Sequence, residues 1–374
     1  MESKSVPRST PIYVPWRSCC AETSIAGAGD MSFPRVYVDE LLLNWGDRLF
    51  HDPLRHVQPP RLSEWAFHRD ATHLREKLMM TLRGAPEVMV KISNRASGPQ
   101  GMSVVRRHLK YISRDGCVEL EDQDECLIAG KQALDALIEQ WHVGGWGIPQ
   151  ESKRRETLNV LLSMPPGTDR QAVWDAARAF AHETFGDGRP YVFAKHDDEA
   201  HPHVHMSVHT RGPDGRRLNP RKRDLHQWRE AFAQQLRARG VDANATPRMA
   251  RGQTRRLSKQ AAIWGTLQET PIRSPVIDDR TRHDLWKAHI ETLSAWHQIA
   301  RTLANSNAPK DRAMAIGVVE FVRQMPICSL GPTNRPQVPG SLPWPPQSTE
   351  RGRSPAVPDL QLDRSRLPSL DVER

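Results

Sequence analysis

The rest of this sequence is organised around one stretch, Tyr191-Val-Phe-Ala-Lys-His-Asp-Asp-Glu-Ala-His-Pro-His-Val-His-Met-Ser-Val-His-Thr210. Its twenty residues contain five histidines, which are His196, His201, His203, His205 and His209. Val204, Met206 and Val208 alternate with polar residues, and this period of two predicts a β-strand. The apolar run from Tyr191 to Ala194 predicts a second strand just before it.

The strand geometry predicts a metal site. Side chains two apart share one face of a strand, so His203 and His205 should point the same way, with Val204 behind them in the core. His196 would arrive from the preceding turn as a third nitrogen donor. Three imidazoles with open coordination positions can hold a metal that acts as a Lewis acid on a substrate oxygen. Asp198 could supply a carboxylate that fixes an imidazole tautomer. An incidental histidine pair is the alternative.

Composition limits the classes of protein that the chain can belong to. The 374 residues carry a formal net charge of +9 and a pI near 9.6, which favours an anionic partner: nucleic acid first, a membrane surface second. The five cysteines have no CxxC spacing, which argues against a disulfide framework or a zinc knuckle and favours a reducing interior. We find neither an apolar run of about 18 residues nor a secretory leader, so we expect no membrane insertion.

The chain divides into four segments by composition and periodicity. Residues 1–84 form an N-terminal extension that we predict to be partly disordered, and residues 85–250 carry the chemistry. Residues 251–325 are predicted to be helical, and residues 326–374 form a proline-rich, disordered tail.

The order of strands and helices within residues 85–250 predicts an α+β fold with helices packed on a sheet. The acidic run Glu119 to Glu125 is predicted to be a solvated loop or a strand edge, and Thr168 with Gln171 forms a predicted capping box. The predicted strands are Glu87 to Ser93 and Thr157 to Met164 besides the two above, and the predicted helices begin near Ser103, Gly130, Thr168 and Asp224.

Only four tyrosines are available as a nucleophile for such a site. Tyr191 begins a strand that should be buried, Tyr13 lies in the polar leader, and Tyr37 lies in the unassigned extension. Tyr111 is the exception, because it lies off the apolar stripe of its predicted helix. Neighbouring positive charge would stabilise its phenolate. The cations around it are Arg106, Arg107, Lys110 and Arg114.

Two motifs resemble those of a known family. Tyr111-Ile-Ser-Arg-Asp-Gly116 is similar to the nucleophile motif of the relaxases, the mobilization nucleases among the HUH endonucleases, which include MobA-type relaxases and T-DNA border endonucleases. His196-Asp-Asp-Glu-Ala-His-Pro-His-Val-His205 is similar to their metal motif. The strand Leu158 to Met164 with the following Pro-Pro-Gly-Thr also resembles the segment between the two motifs. The match covers residues 87 to 248, about ninety residues separating the motifs.

The resemblance implies a fold and a reaction. The fold would be a five-stranded antiparallel sheet with helices packed on it. Tyr111 would attack one phosphodiester at an origin of transfer, leaving a free 3′-hydroxyl and a 5′-phosphotyrosine that allows later rejoining. A divalent metal on His196, His203 and His205 would polarise the phosphate. Mg²⁺ or Mn²⁺ is the family expectation, whereas three imidazoles alone would favour Zn²⁺, Cu²⁺ or Ni²⁺.

The resemblance also implies partners and a location. Single-stranded DNA at the origin would be the substrate, with a relaxosome accessory protein and a conjugative coupling protein as partners. The protein would act in the bacterial cytoplasm and could pass through a conjugative channel with the DNA. The disordered C-terminal end is either a secretion signal for that channel or a plain tail.

Several roles have two interpretations. Asp198 and His201 are candidates for orienting the metal ligands, although His201 could equally be a turn residue. Two basic blocks are either solvated surface or a grip on DNA phosphates. The first block consists of the four cations around Tyr111. The second block consists of Arg211, Arg216, Arg217, Arg221, Lys222 and Arg223.

Two other functions compete with the relaxase interpretation. A rolling-circle replication initiator would carry a similar histidine pair but place its tyrosine downstream, and no tyrosine follows His205 here. A non-catalytic DNA-binding accessory protein would keep the basic charge without the chemistry. A covalent adduct between protein and DNA discriminates between an enzyme and a binding module.

Overall fold

A computed structural model describes residues 32–50, 63–94, 101–145, 147–253 and 279–330. Most of the predicted N-terminal leader and nearly all of the predicted proline-rich tail lie outside these residues. In the described part the predicted α+β class is confirmed, because one antiparallel sheet is packed against helices. None of the described helices combines the length and apolar character needed to cross a membrane.

The described sheet has six strands in the order β1-β4-β6-β5-β2-β3, and every neighbouring pair is antiparallel. The strand with the histidines, β6, lies near the middle of the sheet between β4 and β5. The strands are β1 Met89–Ile92, β2 Leu120–Asp122, β3 Leu127–Ile128, β4 Thr157–Ser163, β5 Tyr191–His196 and β6 His203–His209.

The expected count of five strands is wrong, because the acidic run Glu119 to Glu125 contributes to a hairpin at the sheet edge. Leu120 is completely buried, and the buried carboxylate of Glu121 accepts a 2.8 Å hydrogen bond from the guanidinium of Arg178. The Asp122 carboxylate then accepts hydrogen bonds from two backbone N–H groups of the turn, at 2.9 Å each. The run therefore forms β2 and the turn into β3, so of the two predicted alternatives the strand edge is correct and the solvated loop is wrong.

The helices begin and end close to their predicted positions, with two differences at their starts. Helix α5 is capped by Asp169, whose carboxylate accepts from the Gln171 backbone N–H at 2.9 Å, so the predicted Thr168 capping box is wrong. Helix α3 begins after Gly101, where φ is 108°, and Ser103 lies inside its first turn. The described helices are α1 Arg35–Phe50, α2 Glu64–Leu82, α3 Met102–Ile112, α4 Gly130–Val143, α5 Arg170–Phe185, α6 Lys222–Arg237, α7 Asp279–Ala304, α8 Pro309–Arg323 and α9 Pro326–Leu330.

Helices cover the sheet on both faces. Val204, Met206 and Val208 of β6 pack with α5 and α6 in one apolar core. The opposite face of β5 presents Val192 and Ala194 to the buried stripes of α3 and α4. Because side chains alternate along a strand, the odd-numbered residues of β6 face the side of α3 and α4. This alternation puts the histidines of β6 under α3.

A second core joins the two ends of the described chain. Helices α1 and α2 pack against α7, α8 and α9 around Trp296, which is completely buried. The Phe50 and Trp296 rings lie edge to face, with their centroids 6.1 Å apart. The Trp296 indole N–H donates a 2.8 Å hydrogen bond to the carbonyl of Ala250, the last residue of the segment 85–250. Segments that were separate in the sequence-based division thus share one core.

Trp296→Phe is expected to lower the free energy of unfolding by about 1–2 kcal/mol, because it removes buried atoms and leaves the Ala250 carbonyl without its donor. Urea unfolding followed by circular dichroism measures the change. Trp65→Phe is the matched control, because Trp65 is 70% exposed on α2 and should change stability by less than about 0.5 kcal/mol. Equal effects of the two changes would contradict this account of the second core.

Candidate metal and nucleophile site

Three histidines converge at one end of β5 and β6. His203 and His205 lie two apart on β6, and His196 ends β5 directly opposite His203. The ring centroids are 5.3 Å apart for His196 and His203, 4.6 Å for His196 and His205, and 5.2 Å for His203 and His205. One nitrogen from each ring lies within 4.8 Å of the other two. The three predicted donors are therefore brought together, with His196 on a strand rather than in a turn.

Backbone carbonyls orient two of these rings. The Nε2–H of His196 donates to the carbonyl of Ile112 at 2.7 Å, and the Nδ1–H of His203 donates to the carbonyl of His201 at 2.9 Å. These hydrogen bonds leave Nδ1 of His196 and Nε2 of His203 as lone-pair donors. The Nδ1 atom of His196 is buried and has no hydrogen-bond partner. An orphaned buried nitrogen in such a cluster fits a bound metal ion.

Two of the three rings are held in the neutral state that coordination requires. Burial, reinforced by the neighbouring His196 and His203, lowers the pKa of His205 to about 3. Burial also lowers the pKa of His196, although its hydrogen bond to Ile112 opposes this shift. These two donors are thus ready to bind a divalent cation at neutral pH, without a proton to displace.

Asp198 and His201 were predicted as candidates for orienting the metal ligands, and the structure gives each of them a different interaction. The carboxylate of Asp198 forms an ion pair with the guanidinium of Arg114. The side chain of His201 is exposed, and this residue contributes its backbone carbonyl to His203. Backbone atoms therefore orient His196 and His203 where the sequence suggested side chains. A sequence pattern does not indicate such carbonyls, because every residue has one.

Tyr111 lies beside the histidine cluster. It is the penultimate residue of α3, whose buried stripe is Met102, Val105, Leu109 and Ile112, and it is 52% exposed. Its ring centroid is 5.6 Å from that of His205 and 6.3 Å from that of His196. The Arg114 guanidinium carbon lies 5.0 Å from the same ring centroid. Because Tyr111 is off the buried stripe, its phenol is free to face a substrate at the cluster.

His108 is a fourth imidazole near the cluster, and it was not among the predicted site residues. Its ring stacks on Tyr111, with centroids 6.3 Å apart and planes 27° apart. Its Nε2 atom is buried without a hydrogen-bond partner, and burial lowers its pKa to about 4. The position of His108 three residues before Tyr111 is the sequence feature that could have identified it, because residues three apart are neighbours on a helix.

The two basic blocks differ in their relation to the cluster. Arg106 and Arg107 are exposed on α3, and Arg114 contacts the Tyr111 ring. The second block follows the opposite end of β6, about 20 Å along the strand from His203. In that block Arg217 pairs with Glu156 at 2.9 Å. The first block therefore lies on the helix and turn that carry Tyr111, whereas the second lies at the far end of the strand.

His209 lies outside the cluster. Because it is buried, we expect the stability of the protein to depend on pH. Its ring centroid is 4.4 Å from that of Trp141. Burial lowers the pKa of His209 from 6.5 to about 4; Glu156 opposes this shift, and Arg189 and Arg217 reinforce it. The unfolded chain gains a proton near pH 6.5 and the folded one only near pH 4. The stability contributed by neutral His209 is therefore complete above pH 6.5 and is lost as the pH falls towards 4.

His209→Gln should remove this titration. The difference in unfolding free energy between the wild type and the variant is expected to shrink by about 3 kcal/mol on acidification from pH 6.5 to 4, the order of magnitude of the pKa shift. Urea titrations of both proteins across this interval measure the difference. A difference that stays constant with pH would show that His209 is not held neutral by burial.

Together, the antiparallel sheet, the three converged imidazoles and the adjacent phenol define a protein with a candidate metal centre and tyrosine nucleophile on an α+β scaffold. Residues 111–241, which include both, match the family model described as relaxase, MobA/VirD2-like, nuclease domain. Residues 111–241 of this chain are therefore similar to the nuclease domain of the relaxase family.

Curated relatives show the same similarity. The chain is 30% identical over 173 residues to the T-DNA border endonuclease VirD2 of Rhizobium radiobacter, covering 41% of each chain. It is also 30% identical over 126 residues to the T-DNA border endonucleases VirD2 of Rhizobium rhizogenes and Agrobacterium fabrum strain C58. These two matches each cover 30% of this chain, and 29% and 28% of the respective relatives. The chain spans less than half the length of these relatives.

Proposed function

We propose that this protein is a conjugative relaxase that nicks one DNA strand at an origin of transfer, holds the strand covalently and later rejoins it. The observation that carries the proposal is the position of the Tyr111 ring, whose centroid lies 5.6 Å from that of His205 and 6.3 Å from that of His196. The catalytic domain that we assign comprises residues 85–250, with the helical region 251–325 and the extension 1–84 packed beside it where they are described.

In the reaction, the Tyr111 phenolic oxygen attacks the phosphorus of the scissile phosphodiester. A P–O bond forms to the tyrosine, the bond to the 3′-oxygen breaks, and that oxygen gains a proton to become the free 3′-hydroxyl. The phenol loses its proton in the same step. The Arg114 guanidinium lies close to the ring on which the phenolate charge develops, and it stabilises that charge. Attack by the 3′-hydroxyl on the phosphotyrosine reverses the step.

His196, His203 and His205 would hold a divalent metal ion, and the orphaned nitrogen of His196 fits this role. When bound there, the ion would supply Lewis-acid polarisation of the scissile phosphate. We propose Mg²⁺ or Mn²⁺, following the family, although the all-nitrogen donor set would also bind Zn²⁺. The protein's own part is to present three converging nitrogens on a rigid strand pair next to the nucleophile.

The cations near Tyr111 would bind the phosphates of single-stranded DNA. Arg106, Arg107 and Lys110 lie on the same helix as the nucleophile, and phosphate contacts of this kind position a strand without reading its bases. The second basic block would bind DNA farther from the histidine cluster. A relaxosome accessory protein and a coupling protein are the proposed partners, and the proposed location is the bacterial cytoplasm, with transfer through a conjugative channel.

The test of this function is the identity of the linked residue. Protein is incubated with a labelled origin oligonucleotide and Mg²⁺ or Mn²⁺, denatured, digested and analysed by mass spectrometry. We expect a nucleotide attached through a phosphotyrosine at residue 111, and none when EDTA is present. A nucleotide attached to another residue, or tight DNA binding with no covalent product under either metal, would overturn the proposal.

A further inference from the structure

The turn that follows α3 has an unusual backbone. Arg114 and Asp115 have positive φ angles of 53° and 55°, which L-residues with side chains adopt rarely, and Gly116 follows with φ at 91°. A Cβ atom at Gly116 would lie 2.7 Å from the backbone of Gly130, so the turn packs tightly against the start of α4. The path of the chain therefore determines where Arg114 points.

Arg114 makes two contacts from this turn. Its guanidinium lies over the Tyr111 ring, 5.0 Å from the centroid. It also pairs with the carboxylate of Asp198 in the loop between β5 and β6. The pair is open to solvent, with 38% of the arginine side chain and 53% of the aspartate side chain exposed. Exposed ion pairs contribute little stability, so this one can be exchanged for another partner at low cost.

The loop that carries Asp198 is held in place by other contacts. Arg170 donates to the carbonyl of Glu199 at 2.6 Å and pairs with Asp197 at 3.3 Å. Lys195 lies 3.7 Å from the same Asp197 carboxylate. Asp198 is thus not needed to position the loop, and its contact with Arg114 requires a different explanation.

We propose that Arg114 is a subsite for a DNA phosphodiester beside the nucleophile, and that Asp198 occupies this subsite when DNA is absent. The inference rests on the proposed function and adds the identity of a phosphate contact and of its internal competitor. A guanidinium binds carboxylate and phosphate oxygens with the same fork of N–H donors, so one group can replace the other. DNA binding would break the contact with Asp198, and the carboxylate therefore weakens DNA binding.

Asp198→Asn tests the exchange, with Asp197→Asn as a control of equal charge in the same loop. Binding of a labelled single-stranded oligonucleotide is measured by fluorescence anisotropy in EDTA, so that no nicking contributes. We expect Asp198→Asn to bind about three- to fivefold more tightly than the wild type, and Asp197→Asn to gain less than half of that. In an Arg114→Gln background, Asp198→Asn should give no gain.

Any other result of these binding measurements would contradict the proposed phosphate subsite at Arg114. Equal gains in DNA affinity from both asparagine variants would show that the effect comes only from the change in net charge. Unchanged or weaker binding by Asp198→Asn would show that Asp198 instead holds Arg114 in its working orientation. A gain that persists without Arg114 would place the competition elsewhere. Because these measurements need no metal or cleavage, they are separate from the covalent-adduct test of the proposed function.

Discussion

Tyr111→Phe is expected to abolish the covalent protein–DNA adduct and to lower the nicking rate by at least about 10⁴-fold. Phenylalanine keeps the ring that packs beside His205 and His108 but lacks the oxygen that attacks phosphorus. DNA affinity should therefore change by less than about threefold, because phosphate contacts come from arginines and lysines. Denaturing gels measure the adduct, and anisotropy measures the affinity.

Tyr37→Phe provides the control for this prediction. Tyr37 is 44% exposed on α1, where its ring contacts Phe33 in the second core, away from the histidines. Its replacement should leave adduct formation unchanged. An adduct that survives in Tyr111→Phe at the wild-type yield would assign the nucleophile to another residue and would contradict the proposed mechanism.

His203→Ala is expected to lower the affinity for Mn²⁺ by at least about 100-fold and the adduct yield by about 10³-fold. The change removes one of three converging nitrogens and leaves the other two in place. DNA affinity should fall by no more than about threefold, because we assign the phosphate contacts to arginines and lysines and not to the imidazoles. Calorimetric titration with Mn²⁺ reports on the site without any cleavage.

His182→Ala is the matched control, because it removes an exposed histidine from α5, on the other face of the sheet. Metal affinity and adduct yield should both be those of the wild type. If His203→Ala loses DNA affinity as strongly as it loses adduct, metal binding and phosphate binding do not use separate residues. The division of labour proposed for the site would then be wrong.

Local patterns predicted the elements of the site well. The alternation in Val204, Met206 and Val208 identified β6 and put His203 and His205 on its other face, because a strand has a period of two. The apolar stripe of α3 likewise left Tyr111 exposed, because a helix repeats every 3.6 residues. These features depend on neighbours within about two turns or a few strand positions.

Patterns of this kind left the structure open, or predicted it wrongly, where short elements depend on distant partners. The strand Leu120–Asp122 has only three residues, and its burial depends on pairing with β5 and on Arg178 of α5. The cap of α5 was shifted by one residue, since Thr168 and Asp169 are both good capping residues. The joint core of α1 and α7 connects residues far apart in the chain, which no local period reveals.

The residue types and their periodicity already specified three imidazoles, one exposed tyrosine and the class of sheet, because strand and helix periods act over a few residues. The tertiary structure decided how they meet. It placed the carbonyl of Ile112 against His196, the Tyr111 ring beside His205, and Arg114 between the nucleophile and Asp198. Such contacts join residues about ninety positions apart. They depend on strand register and on the packing of α3, which only the assembled core determines.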